Sequence, residues 1–306
     1  MRVQPKRICG LLLALLLGCF GFMQEMAFGV ISATNFKPGF NLFSRAEDIQ
    51  EGRNAAAQVD KQMPLINDAV VLNYVNELGR RLATVSPNNY DYAWTFKVVN
   101  SSDINAFALP GGFIYINRAT IESAENEAQL AGVVAHEEGH VVMRHSTHRA
   151  SELVLAQFPL ALLGGALGQG GALGALAKMG IGFGANSILL KNSRSVEAQA
   201  DQVGAYICYH AGYDPHAMAQ FFEVIQKKYP QRTLEFFSDH PNPERRIEKV
   251  DAEIPELGPP RQWRPDTAEF RTVRDRLSKM PAAPKAKVTS EAAPNPNNRL
   301  LRPRPG

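Results

Sequence analysis

"VVAHEEGHVVMRHS", residues 133 to 146, sets two histidines four residues apart around a glutamate, inside a run that otherwise reads as an apolar helix. On a helix of 3.6 residues per turn, His136 and His140 project from one face about one turn apart, close enough to share a metal ion. Glu137 stands beside the first of them. A zinc ion held by two neutral imidazoles lowers the pKa of a water on it from ~15.7 toward ~7, and an adjacent carboxylate can then take that proton. A chance His-Glu-x-x-His arises on the order of once in a hundred chains of this length. The motif therefore points to hydrolysis, provided that the rest of a coordination shell exists.

A catalytic zinc has three protein ligands and one open position. A histidine six residues after the second fails as the third, because that position is Ser146 and Met143 replaces the glycine of that pattern. If the helix continues, His145 points about 140° away from His140, and His148 lies about 12 Å along the axis from His136. Both read as surface histidines at a helix end. A later helix offers carboxylates in "SVEAQAD": Glu197 and Asp201 are again four apart. Glu197 can complete a His-His-Glu set, with Asp201 accepting a hydrogen bond from a ligating imidazole and fixing its tautomer.

Four stretches in order then carry a resemblance: "NAFALPGGFIYI" at 105–116, "HEEGH" at 136–140, "EAQAD" at 197–201 and "SDHPNPERRI" at 238–247. The chain resembles the zinc metallopeptidase family of the CAAX prenyl endopeptidases, the heat-shock membrane proteases and their soluble periplasmic relatives. The resemblance implies an α+β zincin-like (gluzincin) domain, mostly helical, with a small sheet bordering the cleft. It implies one zinc on His136, His140 and Glu197, Glu137 as general base, and Asp201 and Arg246 as supports of the site. His240 is implied near the metal, as a transition-state stabiliser or a switchable extra ligand. Gly111, Gly112 and Phe113 fall on the family's cleft strand, whose exposed edge would pair with an extended peptide; an ordinary turn is the alternative for the two glycines.

Around these motifs the helix signals are plain. Ser44 and Glu47 form a capping box ahead of "RAEDIQEGRNAAAQVDKQ", "DAVVLNYVNELGRRLATV" is amphipathic, and a third helix is expected from about Asn126 to about His145. "YAWTFKVVN" and "GGFIYIN" read as strands, joined by "SSDINAFALP" as a loop. "SRSVEAQADQVGAYICYHAG" and "TAEFRTVRDRLSKM" read as further helices.

The N-terminus places Arg2, Lys6 and Arg7 ahead of "ICGLLLALLLGCFGF", the order of a secretory signal. The expected organisation is a signal peptide over 1–29, a metallopeptidase domain over 44–257, an extension with a short helix over 258–280 and a disordered Pro-rich tail over 281–306. Cleavage after Ala33 is an alternative, and "LLGC" allows lipidation at Cys19 instead. Ordinary cleavage leaves one of the three cysteines, Cys208, so no intrachain disulfide is expected. Cys208 reads as a small buried hydrophobe. The net charge of +3 is spread along the chain without a basic face, which excludes a nucleic-acid partner.

Leu153 to Ala177 exceeds the ~20 apolar residues of a membrane span. It lies between His140 and Glu197, however, so one crossing would strand the ligands on opposite sides. Two crossings need about 40 residues plus a turn. Apolar helices broken by glycine are expected instead, packed beside the cleft or touching the membrane surface through residues 153–190. The function expected is a zinc endopeptidase acting on proteins or peptides, exported to the bacterial periplasm or envelope and serving protein quality control. A chaperone-like or binding module with a structural zinc is the rival.

Overall fold

The structure is a computed structural model that describes residues 31–88, 90–157, 170–183, 192–229, 240 and 246–283. The signal-peptide reading, most of the C-terminal tail and much of the apolar tract lie outside these residues.

Helix α1 (Arg45–Gln62) starts as its sequence dictates: the Ser44 side chain accepts from the Glu47 amide, and Glu47 reaches back to the Ser44 amide. Helix α2 (Ala69–Ala83) is capped by Asp68, which accepts from the amides of Val70 and Val71. Its apolar stripe of Val71, Val75, Leu78 and Leu82 is buried. Three strands follow: β1 (Thr95–Val99), β2 (Ala106–Leu109) and β3 (Phe113–Asn117). They form one sheet in the order β1-β3-β2, with β3 parallel to β1 and antiparallel to β2.

The segment read as a loop thus contains a strand. "AFAL" is short, poor in β-branched residues and flanked by Asn105 and Pro110, so propensity alone does not announce it. Burial explains it. Strand residues alternate between two apolar layers: Phe96, Val98, Ala106, Ala108, Ile114 and Ile116 join the main core, while Val99, Phe107, Leu109 and Tyr115 join a second cluster with α1. A sheet covered on both faces accepts any small or apolar residue that fits.

After α3 (Arg118–Ser123), α4 (Glu127–Val142) carries the His-Glu-x-x-His motif. Asn126 caps it by accepting from the Gln129 amide. Nearly every residue of α4 is buried, which is why the run is apolar all round rather than amphipathic. Val133, Val134, Val141 and Val142 each contribute about 1.5–3 kcal/mol by leaving water.

The third helix does not run to His145. It ends at Val142, Arg144 takes φ +56°, and a separate helix α5 (His145–Gln157) begins. A left-handed arginine costs about 1–2 kcal/mol. Asp48 of α1 holds it there: Arg144 Nε donates to Asp48 Oδ2 at 2.5 Å and Nη2 to Oδ1 at 3.0 Å, while Nη2 also reaches the Phe43 carbonyl.

Helix α6 (Gly171–Lys178) packs Ala172, Ala175 and Leu176 into the second cluster beside Ala150 and Val154 of α5. No helix among the described residues is long and apolar enough to cross a membrane. Helix α7 (Arg194–Ala211) runs from a Ser193 cap to Gly212, whose φ of +86° closes the helix. Helices α8 (His216–Lys228), α9 (Arg246–Leu257) and α10 (Ala268–Ser278) complete the helical layer. Phe270, Val273 and Leu277 of α10 belong to the main core, so burial continues past residue 257. The architecture is mostly helical with a small sheet, as the gluzincin reading expects.

Candidate metal centre

Helices α4 and α7 approach closely because each presents a glycine at the contact. A Cβ on Gly139 would lie 3.0 Å from the Ala200 carbonyl oxygen, and one on Gly204 would lie 3.1 Å from the His136 nitrogen. That approach carries Glu197 and Asp201 over the two histidines of α4.

His136 Nε2 lies 3.0 Å from His140 Nε2 and 3.3 Å from Glu197 Oε2, and His140 Nε2 lies 3.4 Å from Glu197 Oε1. His240 joins them, its Nδ1 3.3 Å from His136 Nε2 and 3.1 Å from Glu197 Oε2. All four residues are buried, and one ligand atom from each lies within 4.8 Å of all the others. Bonds of 2.0–2.1 Å in a tetrahedron put neighbouring donors roughly 3.4 Å apart, so the set fits zinc in both chemistry and spacing.

Behind the donors stand further partners. Asp201 Oδ1 is 3.0 Å from His136 Nδ1. His140 Nδ1 is 2.9 Å from His145 Nδ1, and His145 Nε2 is 2.9 Å from Gln199 Oε1. The expectation of a surface His145 is therefore corrected: it is buried against His140. The left-handed Arg144 turns the chain back, whereas a continued helix would have pointed His145 away. His148 stays at the surface, bonded to the Phe40 carbonyl.

Burial lowers the pKa of His140 to about 3 and that of His145 to about 4, which favours the neutral ring in both, the form in which an imidazole can bind a metal. Burial pushes the Glu197 carboxyl up, but the charge of His240 and the close side-chain contacts of His136, His140 and His240 outweigh it and hold the group well below the usual range. Burial works against a cationic His240; Glu197 and Glu137 overcome it and raise its pKa. Glu137 lies beside the cluster, its Oε1 3.6 Å from His240 Nε2. Glu138 points elsewhere, accepts from Ser86 Oγ at 2.8 Å, and is held protonated well above the usual carboxylate range by burial.

The cleft-strand reading needs correction. β3, which begins at Phe113, is the inner strand of the sheet and has no free edge. Gly111 and Gly112, at φ +76° and +97°, form the tight connection between β2 and β3. A Cβ on Gly111 would lie 2.6 Å from the Ile49 Cα. The edge nearest the cluster is β2, whose Ala106 carbonyl is 3.4 Å from His240 Nε2. Arg246 opens α9, but its side chain lies outside the described residues. Cys208 is a free, buried thiol, pushed up by burial out of the reactive range.

Sequence reasoning missed His145 and Gln199. Helical spacing argued against the first, and Gln199 carries no signal beyond its place inside "EAQAD".

The sequence profile of peptidase family M48 matches residues 71–254. The beta-barrel assembly-enhancing protease of Escherichia coli (strain K12) is 34% identical over 212 residues, covering 67% of this chain and 43% of that protein. The mitochondrial metalloendopeptidase OMA1 of Schizosaccharomyces pombe is 30% identical over 199 residues, covering 64% of this chain and 56% of that protein. The putative beta-barrel assembly-enhancing protease of Vibrio cholerae is 34% identical over 196 residues, covering 60% and 39%. The chain thus spans about half or less of the length of these relatives.

Proposed function

Because this chain belongs to peptidase family M48, a family of zinc metallopeptidases, we propose that it is a zinc-dependent endopeptidase that hydrolyses internal peptide bonds of proteins at the bacterial envelope. The observation that carries the reading is the convergence of His136 Nε2, His140 Nε2 and the Glu197 carboxylate on one buried point with Glu137 alongside. Those three side chains would hold the zinc. When bound, zinc acidifies water from ~15.7 toward ~7 and polarises a carbonyl.

The chain's own residues do the rest. The Glu137 carboxylate takes the proton of the attacking water and later delivers it to the leaving amide nitrogen. Asp201 accepts the Nδ1 proton of His136 and so keeps Nε2 free for the metal. An extended substrate pairs with the edge of β2, in the mode of an added strand, which lays its scissile carbonyl beside the cluster.

His240 has two roles open to it. Placed against a substrate carbonyl, its imidazole donates a hydrogen bond to the developing oxyanion. In the present geometry its Nδ1 is within 3.1–3.3 Å of two of the donors, which favours a latch, His240 being a further residue that would hold the metal in the resting protein. Arg246 supports the site from the start of α9.

Quality control of envelope proteins is the task proposed; the Escherichia coli relative bears the name of a beta-barrel assembly-enhancing protease. Export through the N-terminal segment and peripheral membrane contact through residues 153–190 belong to the same proposal, with anchoring at Cys19 as the alternative to removal of residues 1–29. The test uses the full chain: zinc content and casein cleavage are measured for wild type and Glu137→Gln. The variant should keep one zinc and lose cleavage. Equal cleavage by the two proteins would end the peptidase mechanism.

A further inference from the structure

A neutral imidazole has one protonated nitrogen. His140 turns Nε2 to His136 and Glu197, where it would hold the zinc; an Nε2 given to a metal carries no proton, which leaves the proton on Nδ1, 2.9 Å from His145 Nδ1. His145 Nδ1 must then be the acceptor. A cationic His145 is inconsistent with this contact, since both of its nitrogens would donate. Its single proton therefore sits on Nε2, which lies 2.9 Å from Gln199 Oε1. The opposite assignment, with the Gln199 amide turned, would set two protons against each other between His145 and His140. With His140 Nε2 given to the metal, only one arrangement satisfies every atom of this buried chain.

We propose that His145 and Gln199 are positioning residues of the metal centre. His145 Nδ1 accepts the His140 proton, Gln199 Oε1 accepts the His145 proton, and the two contacts fix the His140 ring with Nε2 toward the zinc. The inference rests on the metal reading given above. It gives the motif "EAQAD" three separate tasks: Glu197 as donor, Asp201 behind His136, and Gln199 behind His140 by way of His145. The two α4 histidines are thereby each steadied at Nδ1, one by a carboxylate and one by a neutral relay. A carboxylate behind both would place two further charges in a buried site, at a desolvation cost that an imidazole avoids.

The partner is supplied by the chain bend. Residue 145 can face residue 140 only because Arg144 is left-handed, and the Asp48 ion pair holds that conformation. A hydrogen-bond partner behind a metal-ligating histidine is worth about 10- to 100-fold in metal affinity.

The experiment measures zinc affinity of the full chain by competition with a chromophoric chelator, together with the visible spectrum of the cobalt(II)-substituted protein. His145→Leu should weaken zinc by about 10- to 100-fold, and Gln199→Leu by about 10-fold. His145→Asn, whose Oδ1 stands where Nδ1 stood and accepts the same proton, should recover most of the loss. In metal-loaded wild type with 15N-labelled histidine, His145 should show a bare Nδ1 and a protonated Nε2. Wild-type affinity in His145→Leu would overturn the proposal, as would equal losses in the leucine and asparagine variants or a proton on His145 Nδ1. Wild-type protein that binds no zinc would instead overturn the metal reading beneath it.

Discussion

Arg144→Gly isolates what holds the bend between α4 and α5. Glycine adopts φ +56° without strain, so the substitution relieves about 1–2 kcal/mol of left-handed backbone cost. It also strips the partner from Asp48, whose side chain is only 2% exposed. Removing one partner of a buried pair costs about 3–5 kcal/mol. The second effect wins, leaving a net destabilisation of about 1–4 kcal/mol. For a chain of this size that corresponds to a fall of roughly 2–15 °C in Tm. Asp48→Asn should cost a comparable amount, because the Arg144 side chain is 12% exposed and its cation keeps only neutral acceptors, the new amide oxygen and the Phe43 carbonyl. In the double variant no charge is left buried alone, so the combined loss should fall short of the sum by at least ~2 kcal/mol. The assay is thermal and urea unfolding of metal-free protein followed by circular dichroism. Additive losses within about 0.5 kcal/mol would refute the claim that this pair fixes the bend.

Three further outcomes follow from the site. Glu197→Ala should weaken zinc binding sharply, since it removes the one carboxylate of the donor set, whereas Asp201→Ala should weaken it by about 10- to 100-fold; equilibrium dialysis separates the two. Glu138 is protonated in the fold and ionised in the unfolded chain at neutral pH. Its contribution therefore falls as pH rises from the ordinary carboxylate range toward its raised value, by up to ~1.4 kcal/mol per pH unit. Glu138→Gln, which keeps the Ser86 contact, should stabilise the protein at pH 7 and lose that advantage near pH 4, as read from urea midpoints. His240→Ala should raise basal cleavage of casein if the residue latches the metal, or lower kcat by about 10²- to 10³-fold with KM little changed if it binds the oxyanion; unaltered kinetics would exclude both roles.

The elements that were legible share a cause: their signals are local. Ser44 with Glu47, Asn126 and Ser193 mark helix starts, and Gly212 marks a helix end, through contacts that span three or four residues. The donors were legible for a related reason. Spacing along a regular helix fixes which side chains share a face, so His136 with His140 and Glu197 with Asp201 could be paired before any packing was known. β2 was not legible, because four small or apolar residues become a strand only when β3 and two apolar layers surround them.

His145 shows where this kind of inference breaks. The angular argument that dismissed it is sound for a continuous helix, and the helix is not continuous. What ends it is neither a glycine nor a proline but an arginine, held left-handed by an aspartate 96 residues earlier. No window of sequence around the motif contains that aspartate. The geometry that sends His145 away from the metal on a regular helix is undone by a long-range ion pair, so the stability of that pair and the tautomer of His140 are one linked property. A substitution at Asp48 should therefore be felt in zinc affinity although it touches none of the four donors, with a loss no greater than that of His145→Leu. A larger loss would place Asp48 in a role that the bend alone does not explain.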